Sequence, residues 1–81
     1  MAENIQVLFF GATASIVGER RIEVTSTEGT TSQMVVDHVK NQFPELDNHK
    51  LLYSLNQIYA TGDEIIHDGD EIAIFTAVSG G

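Results

Sequence analysis

Two apolar segments bracket the chain. Ile5-Gln6-Val7-Leu8-Phe9-Phe10 is apolar on both parities except at Gln6, and Ile72-Ala73-Ile74-Phe75, entered through Glu71, is apolar throughout. Short runs rich in β-branched and aromatic residues read as strands, and apolar residues on both parities mean at least partial cover on both faces. The first and last strands are therefore expected side by side at the middle of one sheet. The residues between them must supply the sheet's edges and its covering layer.

That intervening chain divides readily. Residues 11–18 read as a loop, and Arg21-Ile22-Glu23-Val24-Thr25 alternates polar and apolar as a half-buried strand does, pairing with the first strand as a long-looped hairpin nearer an edge. Thr30-Thr31-Ser32-Gln33 opens the one convincing helix, with Thr30 and Gln33 spaced as a capping box. Val35, Val36, Val39 and Phe43 form its apolar stripe, and Pro44 ends it because the residue before proline is pushed out of the helical region. Residues 45–50 read as a polar connection. Leu51-Leu52-Tyr53-Ser54-Leu55 is a third strand, turned by Asn56-Gln57 into a short fourth around Ile58-Tyr59-Ala60. Gly62-Asp63 and Asp68-Gly69-Asp70 are turn signals on either side of Ile65-Ile66. The expected fold class is α+β: a β-grasp with a mixed four- to five-stranded sheet, first and last strands central, and one main helix on one face. It forms a single domain over residues 1–75, followed by a tail over 76–81.

One helix covers one face, so the other face of such a sheet meets water or a partner. Alternation along the first strand sets Ile5, Val7 and Phe9 against Gln6, Leu8 and Phe10, and the face with Gln6 is the better candidate for the open side. Phe10 is then exposed, and Phe75 and Tyr59 are placed to join it in an aromatic cluster of the kind that marks an interface. Ordinary core packing of the same rings is the competing account.

Composition excludes much. With no cysteine there are no disulfides, thiolate metal sites or thiol nucleophiles, so any sulfur chemistry must use another group. Twelve acidic against four basic residues, a formal net charge of −8, argue against nucleic acid and anionic membranes and favour a basic partner or simple solubility. No apolar run approaches the ~20 residues of a membrane span, and the first residues lack the pattern of a secretion signal, so a cytoplasmic location is expected. His38, His49 and His67 are scattered without metal-ligand spacing, and neither a nucleophile elbow nor a phosphate-binding glycine loop occurs. The acids around Gly69 lack the remaining ligands of a calcium loop, so no metal is expected.

The chain ends at Gly80-Gly81. Glycine lacks Cβ and threads passages closed to other residues, and the last group is a free carboxylate. At an average usage of about 7%, a given residue pair is Gly-Gly in roughly one chain in two hundred, so the pair needs its context to carry meaning. From Thr76 the extended tail spans at most about 20 Å, enough to leave the globular body and enter a partner.

Several features together carry a family resemblance: Val7-Leu8-Phe9-Phe10 with a loop ending Val17-Gly18, Leu51-Leu52 with Asn56-Gln57, the turn Asp68-Gly69-Asp70-Glu71, and the terminal Val78-Ser79-Gly80-Gly81. With them the chain resembles the small subunits of molybdopterin synthase, the ubiquitin-like sulfur carriers of molybdenum-cofactor biosynthesis. The resemblance implies a scheme centred on Gly81. An E1-like adenylyltransferase joins its carboxylate to AMP from ATP, and a sulfur donor displaces AMP to leave a thiocarboxylate. The tail, with Val78, Ser79 and Gly80, then threads the active site of a large subunit and delivers dithiolene sulfur to a pyranopterin precursor. It implies docking on the large subunit through Phe10, Tyr59 and Phe75, a heterotetramer of two small and two large subunits, and no cofactor bound by this chain beyond the covalent glycyl-adenylate and 1-thioglycine states of Gly81. The chain is then a sulfur-donating subunit, with the enzyme's active site on its partner.

Two departures stand out. Thr76-Ala77 occupies the place where family members often have Pro-Pro, and Thr13-Ala14-Ser15 fills a region where many carry an arginine. Three alternatives share the C-terminal logic or dispense with it: a thiamine-type sulfur carrier, a ubiquitin-like protein modifier, and an interaction domain with an inert tail.

Overall fold

In the computed structural model, which describes residues 2–76, the two apolar segments lie side by side. Strand β1 (Ala2–Phe9) runs parallel to β5 (Glu71–Thr76), with Gln6 opposite Glu71 and Phe9 opposite Ile74. Strand β2 (Arg21–Thr27) pairs antiparallel with β1, β3 (Leu51–Leu55) pairs antiparallel with β5, and β4 (Ile58–Tyr59) closes the far edge, giving the order β2-β1-β5-β3-β4. This is the expected α+β grasp fold, with first and last strands central. Its parallel contact forms because the chain between β1 and β5 is long enough for a crossover. Thr76, expected to open the tail, is instead the last residue of β5, opposite Leu51.

The core follows the alternation. Ile5, Val7, Phe9, Ile72 and Ile74 point to one face and are buried against Val35, Val36 and Val39 of the main helix, with Val24, Leu46 and Ile66 completing the cluster. Phe9 meets Phe43 edge to face at 6.1 Å, which seats the C-terminal end of that helix on the sheet. The Asn56-Gln57 turn takes the left-handed conformation at both residues, φ 51° and 73°, the geometry that matches strand twist in a two-residue hairpin.

Three local expectations need correction. The loop over residues 11–18 contains a short helix, α1 (Ala12–Val17), set between Gly11 at φ 58° and Gly18 at φ 81°. Six residues are too few for a helical period to register, but Ala14, Ile16 and Val17 pack on the core. The main helix, α2 (Ser32–Gln42), is capped by Thr31, whose hydroxyl accepts from the Met34 N–H at 3.3 Å. Thr30 instead turns back, its hydroxyl donating to the Thr27 carbonyl at 2.7 Å, and Gln33 accepts from the Tyr53 hydroxyl at 2.8 Å, so no capping box forms. The polar connection before β3 is a 3-10 helix, Pro44–Asn48, and it contributes the fully buried Leu46.

The acid that does serve α2 comes from far along the chain. The Glu64 carboxylate accepts from the Thr61 N–H at 2.8 Å, the Ser32 hydroxyl at 2.7 Å and the Gly62 N–H at 2.9 Å, while Ser32 is itself fully buried. The Thr61 amide first and the Ser32 hydroxyl second stabilise the ionised form and push the Glu64 carboxyl down to about 2 from 4.5. Between these values the unfolded chain binds a proton that the folded chain does not, so stability falls as pH is lowered from about 4.5 toward about 2. Urea midpoints measured at pH 7 and pH 3 should show this loss, and Glu64→Gln should reduce it. An unchanged difference in the variant would separate the acid sensitivity from Glu64.

Candidate docking face and C-terminal site

Strand registry determines which residues share the face opposite α2. Leu8 stands opposite Arg21 and Ala73, Ala73 opposite Ser54, Ser54 opposite Tyr59, and Leu52 opposite Phe75. Directly paired residues point to the same side. Among the described residues no helix covers this side. Phe10 is 52% exposed, Tyr59 72% and Leu52 36%, while Leu8, Ala73 and Phe75 are half-buried. The Tyr59 and Phe75 rings meet at 5.9 Å with a 59° tilt, and Leu52 flanks Phe75 across the ladder. The result is a contiguous apolar strip over β5, β3 and β4, of the composition that interface centres favour.

The structure thus brings the Tyr59 and Phe75 rings together, while Phe10 forms no ring pair with either among the described residues. Phe10 follows the end of β1, where its N–H bonds the Ile74 carbonyl at 3.1 Å, and it makes neither of the two ring pairs found among the described residues. Leu52 was not singled out from the sequence. Its signal was the third-strand pattern Leu51-Leu52-Tyr53, which shows alternation only once the partner register assigns Leu52 to the open side. Val78, Ser79, Gly80 and Gly81 lie outside the described residues.

What positions the end of β5 is a buried hydroxyl. Thr13 is fully buried, and its Oγ1 lies 2.7 Å from the Phe10 carbonyl oxygen and 2.9 Å from that of Ile74, its one proton shared between them. The same oxygen accepts from the Phe10 N–H at 3.0 Å. One side chain therefore clamps α1, the end of β1 and the last turnout of β5 before Thr76. Replacing Thr13 by valine keeps the shape and removes this clamp, at an expected cost of about 1–2 kcal/mol. In a domain of this size that lowers Tm by roughly 5–15 °C in a thermal melt. An unchanged Tm would show that the hydroxyl contributes nothing.

No group of three or more potential metal ligands occurs among the described residues, and no helix there is long and apolar enough to cross a membrane. What the described residues offer is an exposed apolar strip on the face opposite α2, beside the end of β5.

Fold and face together define the class, a ubiquitin-like β-grasp domain. The chain belongs to the ThiS family, whose family model matches residues 7–81. The molybdopterin synthase sulfur carrier subunit of Mycobacterium tuberculosis is 34% identical over 81 aligned residues, covering 96% of this chain and 98% of that protein. Among solved structures, the small archaeal modifier protein 1 of H. volcanii superposes with a TM-score of 0.85 at 21% identity, covering 94% of this chain and 99% of the other. A chain in the complex of subunits 1 and 2 of the molybdopterin-converting factor from Helicobacter pylori superposes with a TM-score of 0.68 at 18% identity, covering 96% and 99%. At these identities the structural likenesses establish the fold.

Proposed function

We propose that this chain is a sulfur carrier and acts as the small subunit of a molybdopterin synthase. The observation that carries the reading is the end-to-end match to a relative of that name, 34% identical over 98% of its length, with the family match running through Gly81. In the proposed cycle the Gly81 carboxylate attacks the α-phosphate of ATP on an adenylating enzyme, forming an acyl-adenylate and releasing pyrophosphate. A sulfide-level donor then attacks the acyl carbon, AMP leaves with the C–O bond electrons, and a thiocarboxylate remains. Its sulfur is the nucleophile that cysteine supplies in other proteins, and this chain has none. Delivered to a pyranopterin precursor, two such sulfurs make a dithiolene.

The fold suits this division of labour. The Tyr59–Phe75–Leu52 strip supplies apolar area for a large subunit, and the five residues beyond Thr76 reach at most about 18 Å into it. That the H. pylori neighbour is a complex of two converting-factor subunits supports a partner of this type. The deciding experiment is intact-mass analysis of the chain after incubation with an E1-like adenylyltransferase, ATP and a sulfide donor. One oxygen-to-sulfur exchange, mapped to Gly81, is the expected result. An unchanged mass would overturn the reading, and isopeptide-linked adducts would replace it with a protein modifier.

A further inference from the structure

An open groove of about 1190 Å³ lies between the end of β1, α1 and the start of β2, lined by Leu8, Phe10, Ala14, Ser15, Arg20 and Arg21, with Glu19 beside them. It lies on the β1–β2 side of the sheet, whereas Tyr59 is on the far edge strand β4. Four side chains in the whole chain are basic, against twelve acidic, and two of the four stand in this groove. Among the described residues neither guanidinium has an ion-pair or hydrogen-bond partner. Glu23, the acid nearest Arg21 on its face of β2, is engaged instead by the Gln6 amide at 3.1 Å. Two unpaired arginines beside an exposed phenylalanine are out of keeping with a surface that is otherwise acidic.

We propose that this groove docks a short acidic segment of a partner protein, an apolar side chain flanked by carboxylates. Phe10 and Leu8 take the apolar group, and Arg20 and Arg21 take the carboxylates. Guanidinium forks match carboxylates in bidentate geometry, and Phe10 is exposed enough to bury a neighbour against. The surrounding charge selects the kind of partner. A polyanion such as nucleic acid is repelled along its length by a domain of net charge −8, whereas a short acidic segment needs only the local cationic pair. Repulsion elsewhere on the surface then directs that segment to this groove. Location adds a reason: Phe9 lies beside Ile74, so the groove and the end of β5 share one end of the sheet, and a partner taking the residues beyond Thr76 meets the groove. The inference does not require that Gly81 carry sulfur.

The test is an NMR titration of the isotope-labelled full chain with the peptide acetyl-Glu-Glu-Phe-Glu-Glu-amide at low salt. Saturable amide shifts are expected at groove residues, among them Leu8, Phe10, Ser15 and Arg21. The double variant Arg20→Ala, Arg21→Ala should weaken the peptide about tenfold. The double variant Lys40→Ala, Lys50→Ala removes the same charge and should change affinity less than about twofold. Unperturbed shifts elsewhere in each variant's spectrum verify its fold. Absence of saturable groove shifts, or an equal loss in both double variants, overturns the proposal. Groove shifts produced by deleting residues 77–81 with no peptide present would give the groove to the chain's own terminus and overturn it also.

Discussion

Appending one alanine after Gly81 is expected to abolish thiocarboxylate formation, by at least about 100-fold, while the melting temperature stays within about 3 °C of the parent chain. The extra residue moves the terminal carboxylate roughly 3.5 Å further along the chain and puts a Cβ where none was present. Activation by an adenylating enzyme is a positional reaction, and displacements of about 1 Å already cost two orders of magnitude. The change lies beyond the described body, which ends at Thr76, and replaces none of its residues, which is why stability should be little affected. Deletion of Gly81 should act alike. The measurement is intact mass against time under the reconstituted conditions, paired with a thermal melt. Normal sulfur loading of the extended chain would remove Gly81 from the mechanism.

Phe75→Asp should weaken binding to the large subunit by about 100-fold or more and leave the fold standing. Phe75 is at the middle of the apolar strip, touching Tyr59 at 5.9 Å and paired with Leu52, and central aromatic anchors commonly carry 2–4 kcal/mol of an interface. Aspartate removes that area and adds a charge that docking must desolvate. The side chain is on the open face, only half-buried, so the domain loses its cross-strand contacts with Tyr59 and Leu52, each worth about 1 kcal/mol or less. Titration calorimetry against the large subunit measures the loss. Adenylation should survive in part, because the tail residues are untouched. Unchanged affinity would exclude Phe75 from the interface.

Legibility differed by element for physical reasons. The long apolar strands and the Val35, Val36, Val39 stripe announced themselves because their periods repeat over enough residues to register. Helix α1 did not, since six residues between two glycines give less than two turns of pattern. The capping box misled because any Thr-x-x-Gln satisfies its spacing, and which threonine becomes the cap depends on how the preceding turn closes, here through Thr30 to Thr27. Leu46 was hidden by its polar neighbours, and burial there is a property of what packs over it.

The site divided in the same way. Phe10 was placed on the open face by parity along the first strand, with Phe75 and Tyr59 expected to join it, and the strand register puts Phe75 and Tyr59 on that face. Whether rings on one face touch depends on strand order and register, which brought Tyr59 to Phe75 across β3 and left Phe10 beside the Arg20 and Arg21 groove. Glu64 shows the same limit, because its partners at Ser32 and Thr61 meet only when residues distant in the chain converge.

By itself, the sequence determined the elements with sustained periods, the central placement of the first and last strands side by side and the uncovered sheet face, because each follows from local pattern and from the geometry of covering one sheet with one helix. Only the tertiary structure decided the Thr13 clamp on β5, the Glu64 anchor of α2, the exact membership of the apolar strip and the setting of Arg20 and Arg21 in one groove with Leu8 and Phe10. Each of those is a contact between segments far apart in the chain, and no local pattern encodes which distant partner a side chain meets.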